Sequence, residues 1–155
     1  LMEKRNGIGA TEAHARLLMD SYKRWTGRDL LVAKTQENGI SEALFQAPFV
    51  ILSHGTEAEP VLNYGNEKAL ELWEMSWDEL TSTPSRLTAE PMAREERDRF
   101  FERVTENGFV DGYTGIRISS TGRRFAIIDT LVWNLVDEEG VFRGQAAAFS
   151  EYRYL

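Results

Sequence analysis

Phe109-Val-Asp-Gly-Tyr-Thr-Gly-Ile-Arg-Ile-Ser-Ser-Thr-Gly-Arg-Arg-Phe-Ala-Ile-Ile-Asp-Thr-Leu-Val-Trp-Asn-Leu-Val136 is the stretch whose reading decides the fold. Its two arms are rich in Ile, Val, Phe, Tyr and Trp, side chains that suit a pleated, half-buried surface. Between them Ser119-Ser120-Thr121-Gly122 is a turn cluster, and Gly122 can take the positive φ that a tight turn needs. The spacing predicts a long antiparallel hairpin. In the second arm Phe125, Ile127, Leu131, Trp133 and Leu135 alternate with Ala126, Ile128, Val132 and Val136. A strand that is apolar on both sides belongs to a sheet covered on both faces, so something must pack on each.

Working outward, the chain has 155 residues, which suits one domain, and one of this size buries roughly 70% of its unfolded surface. The net charge of -7 argues against non-specific binding to nucleic acid or anionic membranes. No cysteine is present, which excludes disulfides, zinc–thiolate sites, thiol nucleophiles and cysteinyl-flavin photochemistry within these residues. No apolar run is long enough to span a bilayer and no cleavable signal opens the sequence, so a cytoplasmic protein is expected. No Walker loop or HExxH motif occurs.

Residues 1–9 read as a flexible N-terminus and 10–47 as an N-terminal helical segment, leaving 48–155 as the main domain. A helix is predicted from Thr11, its N-cap, to about Trp25, with Gly27 as its stop. Ala15, Leu18, Tyr22 and Trp25 form its apolar stripe, which can cover the outer sheet face or meet a second copy in a homodimer. A helical turn at Ser41–Gln46 precedes two strands, Pro48–Ser53 and Val61–Gly65. Asn66 caps a helix to about Met75, and Ser76-Trp-Asp-Glu79 has capping-box spacing. Pro84–Glu90 reads as loop. A charged helix then opens near Pro91 and stops before Gly108, with Phe100, Phe101 and Val104 inward and Glu95, Glu96, Arg97, Asp98, Arg99, Glu102 and Arg103 outward. The last strand is Val141–Ser150, whose Gly144–Ala148 segment is small-sided, so something approaches it or leaves room beside it.

Helix, two strands, several short helices and a three-strand meander is the layout of PAS-like domains. The run Asn63-Tyr-Gly-Asn66, Ala69, Leu70, Leu72 and Met75–Leu80 agrees with it in detail. The chain more closely resembles the MEKHL family, a PAS-like group of bacterial stand-alone proteins and of C-termini of plant class III homeodomain–leucine zipper transcription factors. Pro48–Glu57, Asn63–Asn66, Pro84–Glu90, Gly115–Arg123 and Val132–Asn134 carry the resemblance, and the bacterial stand-alone type is the expected form. The Met-Glu-Lys-His-Leu string itself is absent, and these residues include no homeodomain or zipper, so DNA binding is not carried over. The resemblance implies an α+β fold: a five-stranded antiparallel sheet with helices on one face and the N-terminal helix on the other or at a dimer interface. It also implies sensing, signalling or regulation, and it supplies no catalytic residues.

PAS-like domains hold ligands between the inner sheet face and the helices, a mostly apolar place with a few directed polar groups. The candidate ligand-binding residues are therefore Arg117 and Tyr113 on one strand face, Trp133, Asn134, Arg86 and His54. Each has an ordinary alternative. Arg117 can face water, Trp133 can be core, and Asn134 can satisfy neighbouring backbone. Arg86 can pair with Glu90, and His54 can bond a turn. Ser53 and His54 are neighbours in a strand and point to opposite faces, so they do not pair as nucleophile and base. No metal, covalent flavin or haem is expected. A small-molecule sensor comes first, a ligand-free dimerisation or interaction domain with a filled core second, and an enzyme built on Arg86, Arg117 and His54 third.

Overall fold

The computed structural model describes residues 5–31, 39–89 and 91–155, with the backbone alone for 91–93. Its elements are helices α1 (Glu12–Thr26) and α2 (Ile40–Phe45), strands β1 (Val50–His54) and β2 (Leu62–Gly65), and helices α3 (Glu67–Trp73), α4 (Trp77–Leu80) and α5 (Pro91–Asn107). Strands β3 (Phe109–Ile118), β4 (Arg124–Val136), β5 (Phe142–Phe149) and β6 (Glu151–Tyr154) follow. The helix boundaries sit where local chemistry places them. The Thr11, Asn66 and Ser76 side chains accept from the backbone N–H groups of His14, Ala69 and Glu79, which the first turn of each helix leaves without partners. Gly27 ends α1 in the left-handed region, and the Ser76–Glu79 capping box is complete.

The sheet order is β2-β1-β5-β4-β3, every pair antiparallel, with β6 also on β4. Leu131 lies opposite Ala148 and Ile128 opposite Glu151, one register across the break, so β6 is β5 continued past Ser150. The fold is thus the expected α+β arrangement around five antiparallel strands, the last running on to Tyr154.

Both sheet faces are covered. On the outer face the fully buried Trp133 donates its indole N–H to the Leu18 carbonyl across 3.3 Å, and Tyr22 meets its ring edge-on. Trp25 donates to the Asn134 carbonyl across 2.9 Å. Ala15 and Leu18 are closed off in the same cluster. The α1 stripe is therefore packed on its own sheet, with Tyr22 and Trp25 left half-buried: a buried indole requires an acceptor, and the helix backbone supplies it. The small residues of β5 leave the room this needs, since Ala146 stands directly opposite Trp133.

On the inner face Trp73 of α3 lies edge-on to Phe125 and Phe149, and Phe100 and Val104 of α5 close over Val132. Here one expectation is corrected. Strict alternation puts Phe125 and Ile127 on the Trp133 face, but Asp129 takes a φ of 52° and the β3–β4 register slips beside it, between Tyr113 and Gly115. That bulge reverses the parity, so Phe125, Ile127, Thr130 and Val132 all face the inner helices. The hairpin tip docks on the end of α3. The Glu74 carboxylate accepts from Ser119 (2.7 Å) and Thr121, and the Ser120 N–H bonds the Trp73 carbonyl.

Of the expected loose end, residues 1–4 lie outside the described residues. Arg5 stacks its guanidinium 3.6 Å from the Phe45 ring centre, and the Asn6 carbonyl accepts from Trp77. Residues 32–38 of the expected N-terminal helical segment also lie outside them. Among the described residues no helix is long and apolar enough to cross a membrane.

Candidate functional site

Helix α5 decides the chemistry of the inner face. Phe100, Phe101 and Val104 share a stripe, and Arg97 stands three residues before Phe100, four before Phe101 and seven before Val104, which places it on the same stripe. The expectation of an outward Arg97 is therefore corrected: it is 6% exposed. Its guanidinium lies 4.5 Å from the Phe101 ring centre and donates to the Ser85 hydroxyl. The helix periodicity carried this signal, and the run of alternating charges around it concealed it.

Arg97 and β3 enclose a cavity of about 40 Å³ between the inner sheet face and α5. Leu52, Leu62, Trp73, Phe101, Ile127, Val132, Ala147 and Phe149 give it apolar walls, while His54, Ser85, Thr88, Arg97, Tyr113, Arg117, Thr130 and Gln145 give it polar ones. At the ~10–15 Å³ that one water needs, this is room for about three. A ring system of cofactor size does not fit the space as it stands.

Arg117 is 4% exposed and lies beside Tyr113. One guanidinium nitrogen donates to the Ile116 carbonyl at 2.8 Å and another to the Tyr113 hydroxyl at 3.4 Å. Tyr113 is held in turn by stacking on Phe100, ring centres 3.9 Å apart. No carboxylate lines the cavity among the described residues. The nearest recorded for Arg97 is Asp98 at 3.6 Å, largely in water. Burial, and then the Arg117 charge nearby, push Arg97 down to about 10. Three further polar atoms on lining residues have no hydrogen-bond partner among the described residues: Arg97 Nε, Trp73 Nε1 and Thr130 Oγ1.

His54 sits in the wall between this cavity and an open surface cleft. Its Nδ1 lies 2.9 Å from the Gly55 carbonyl, its ring is edge-on to Phe101, and burial lowers its pKa. The cleft shares Ser85, Arg97, Phe101 and Gln145 with the cavity and adds Arg86, Glu59, Asp98 and Glu102 on the outside.

Of the six residues predicted from sequence, the structure brings Tyr113, Arg117 and His54 together around the cavity. Arg86 stays on the exposed side of the cleft, 3.7 Å from Glu59; the alternative partner Glu90 lies outside the described residues. Trp133 is on the opposite sheet face. Asn134 does not line the cavity: its amide donates to the Val104 and Thr105 carbonyls, so it completes the end of α5. The suggested enzyme constellation is divided, with Arg117 inside and Arg86 outside. Among the described residues no group of three His, Asp or Glu side chains is placed to hold a metal ion.

The sequence pattern of the MEKHLA domain (MEKHL in its shorter form) matches residues 12–154. Homeobox-leucine zipper protein HOX32 of Oryza sativa subsp. japonica is 26% identical over 141 residues, 89% of this chain and 16% of that protein. Homeobox-leucine zipper protein ATHB-9 of Arabidopsis thaliana is 27% identical over 128 residues, 79% of this chain and 15% of its own. The chain thus spans about a sixth of the length of these curated relatives. Among solved structures, the PAS domain of a protein from Colwellia psychrerythraea superposes with a TM-score of 0.62 at 15% identity, covering 74% of this chain and 92% of that one. An RNA-binding light-oxygen-voltage receptor gives 0.60 at 13% identity, covering 77% and 36%. At such identities these two likenesses establish the fold alone.

Proposed function

Because the chain belongs to the MEKHLA domain family and has the PAS fold, we propose that it is a sensory or regulatory module that binds a small molecule in the cavity under α5. PAS-like domains commonly serve as sensory, ligand-binding or interaction modules, and the small-molecule role is the reading favoured for this one. The observation that carries it is the set of unpartnered buried donors on three separate elements: Trp73 on α3, Arg97 on α5 and Thr130 on β4. A buried polar group without a partner costs roughly 1–3 kcal/mol. Three around one cavity make sense where a guest supplies the acceptors. The guest touches α5 and β3 together, so its binding would alter how firmly α5 is held. It shifts a signalling equilibrium only as far as its affinity differs between the two states.

The small size of the cavity favours a second reading, an interaction domain with a filled core. Native mass spectrometry of the freshly purified chain, with thermal-shift measurements against a panel of small metabolites, separates the two. The sensor reading expects a small mass above the polypeptide or a saturable rise in melting temperature. Bare mass together with no shift from any compound overturns it in favour of the interaction domain.

A further inference from the structure

We infer that the cavity is a site for a short-chain organic acid, its carboxylate held by Arg97 and Arg117 and its hydrocarbon end against Ile127, Val132 and Phe149. The inference rests on the reading of the cavity as a ligand site and adds the chemical class of the guest.

A guanidinium stays protonated in a protein interior, so burial cannot be relieved by losing the proton. Two such groups line one small cavity, and no described lining residue carries a carboxylate. The Asp98 contact of Arg97 lies on the watery side. For Arg117 the recorded partners are neutral, a carbonyl and a phenol. Buried charges are normally paired, and here the missing partner is an anion. The donor set agrees: Arg97 Nε, Trp73 Nε1 and Thr130 Oγ1 can all donate, and none has an acceptor among the described residues.

Size and shape narrow the anion. Space for about three waters admits a guest of only a few non-hydrogen atoms. The remaining walls are aliphatic and aromatic, which suits a carboxylate with a short hydrocarbon tail. A phosphate would turn charged oxygens towards those walls. Planar carboxylates also match the fork of an arginine. His54, Ser85, Arg97, Phe101 and Gln145 form a wall common to the cavity and the open surface cleft, so the site lies one side chain away from solvent on that side.

The test is thermal-shift and calorimetric titration of the 155-residue chain with sodium propionate, with sodium phosphate and sodium chloride at equal ionic strength as comparisons. Propionate should raise the melting temperature saturably and chloride should not. Arg117→Gln should weaken propionate roughly tenfold or more, and Arg117→Lys, which keeps charge and loses the fork, should fall between. A measurement that needs no variant is the arginine Nε–Hε NMR signals of the unmodified protein, two of which should move on titration. The inference is overturned if propionate does no more than chloride, if phosphate binds and propionate does not, or if folded Arg117→Gln keeps full affinity. A neutral molecule found in the cavity would overturn the acid and leave the ligand-site reading standing. Absence of any guest would remove both.

Discussion

Asn134 donates its side-chain amide to the carbonyl oxygen of Val104 across 3.0 Å, joining the central strand to the last turn of α5. The same NH₂ reaches the Thr105 carbonyl at 3.2 Å, and the Asn134 N–H bonds the Gly108 carbonyl at 2.8 Å. The last carbonyls of a helix have no partner within it; the Gly108 N–H bonds that of Val104 at 2.8 Å, and this asparagine adds a second donor there and one to Thr105. Its Oδ1 accepts from Gln145 directly opposite, at 3.0 Å. Replacing Asn134 with Leu takes the side-chain donor from the Thr105 carbonyl, while Val104 keeps the Gly108 N–H and Gln145 keeps the Phe101 carbonyl and the Thr105 hydroxyl, so it should cost on the order of 1–2 kcal/mol. The shift of the urea midpoint measures it, and an unchanged midpoint would show that water reaches the Thr105 carbonyl.

A second expectation concerns acid. His14 is buried on the outer face with Nε2 3.0 Å from the Ser53 hydroxyl, and burial pushes it down to about 4 from its ordinary 6.5. In the unfolded chain it takes a proton below about 6.5, and in the folded protein only below about 4. Between those values the unfolded state binds more protons, so stability falls as pH falls through that window and levels off beneath it. The full loss from this one group is about 3 kcal/mol. His54, also lowered by burial, acts in the same direction. His14→Gln should flatten the dependence of the urea midpoint on pH between 6.5 and 4. An equally steep dependence in that variant would assign the effect elsewhere.

The parts legible in sequence were those written locally. Thr11, Asn66, Ser76 and Gly27 announce helix ends within a few residues of themselves, and the Ser119–Gly122 turn announces its hairpin. Tyr113 and Arg117 were placed together by the strand period alone, and they meet in the structure. Two things stayed hidden because they depend on partners distant in the chain. Asp129 reads as an ordinary polar interruption, yet its left-handed backbone reverses the parity of half a strand. Arg97 reads as one charge among many in α5: its spacing to Phe100, Phe101 and Val104 puts it on their stripe, but the cavity that gives a buried charge a place to face lies between elements far apart in the chain.

Strand β5 makes a sharper test of close approach. Gly144 holds φ at 130°, and a Cβ there would stand 2.0 Å from the His54 carbonyl oxygen, a backbone atom. Gly122 also has positive φ, 88°, but nothing lies within 4 Å of its Cβ position. Gly144→Ala should therefore cost roughly 3 kcal/mol or more, from clash and strain together. Gly122→Ala should cost about 1 kcal/mol, from conformation alone. Thermal unfolding of the two variants side by side reads the difference. Equal costs would mean that the His54 backbone moves aside.

The most discriminating expectation is a gain. Arg117 carries a buried charge with no described carboxylate beside it, so in the absence of an anion it should work against folding. Arg117→Met keeps much of the length and apolar stem and removes the charge. It gives up the bonds to the Ile116 carbonyl and the Tyr113 hydroxyl, the second of them long at 3.4 Å. Replacing buried ionic groups with apolar ones of like volume is often neutral or stabilising by about 1–4 kcal/mol. The variant should thus unfold at a higher urea concentration than the parent in chloride buffer, while its response to propionate is lost. A residue that lowers stability and raises affinity is placed for binding. If Arg117→Met is instead destabilised by about 2 kcal/mol or more, Arg117 is a structural clamp on Tyr113 and β3, and the site must be sought without it.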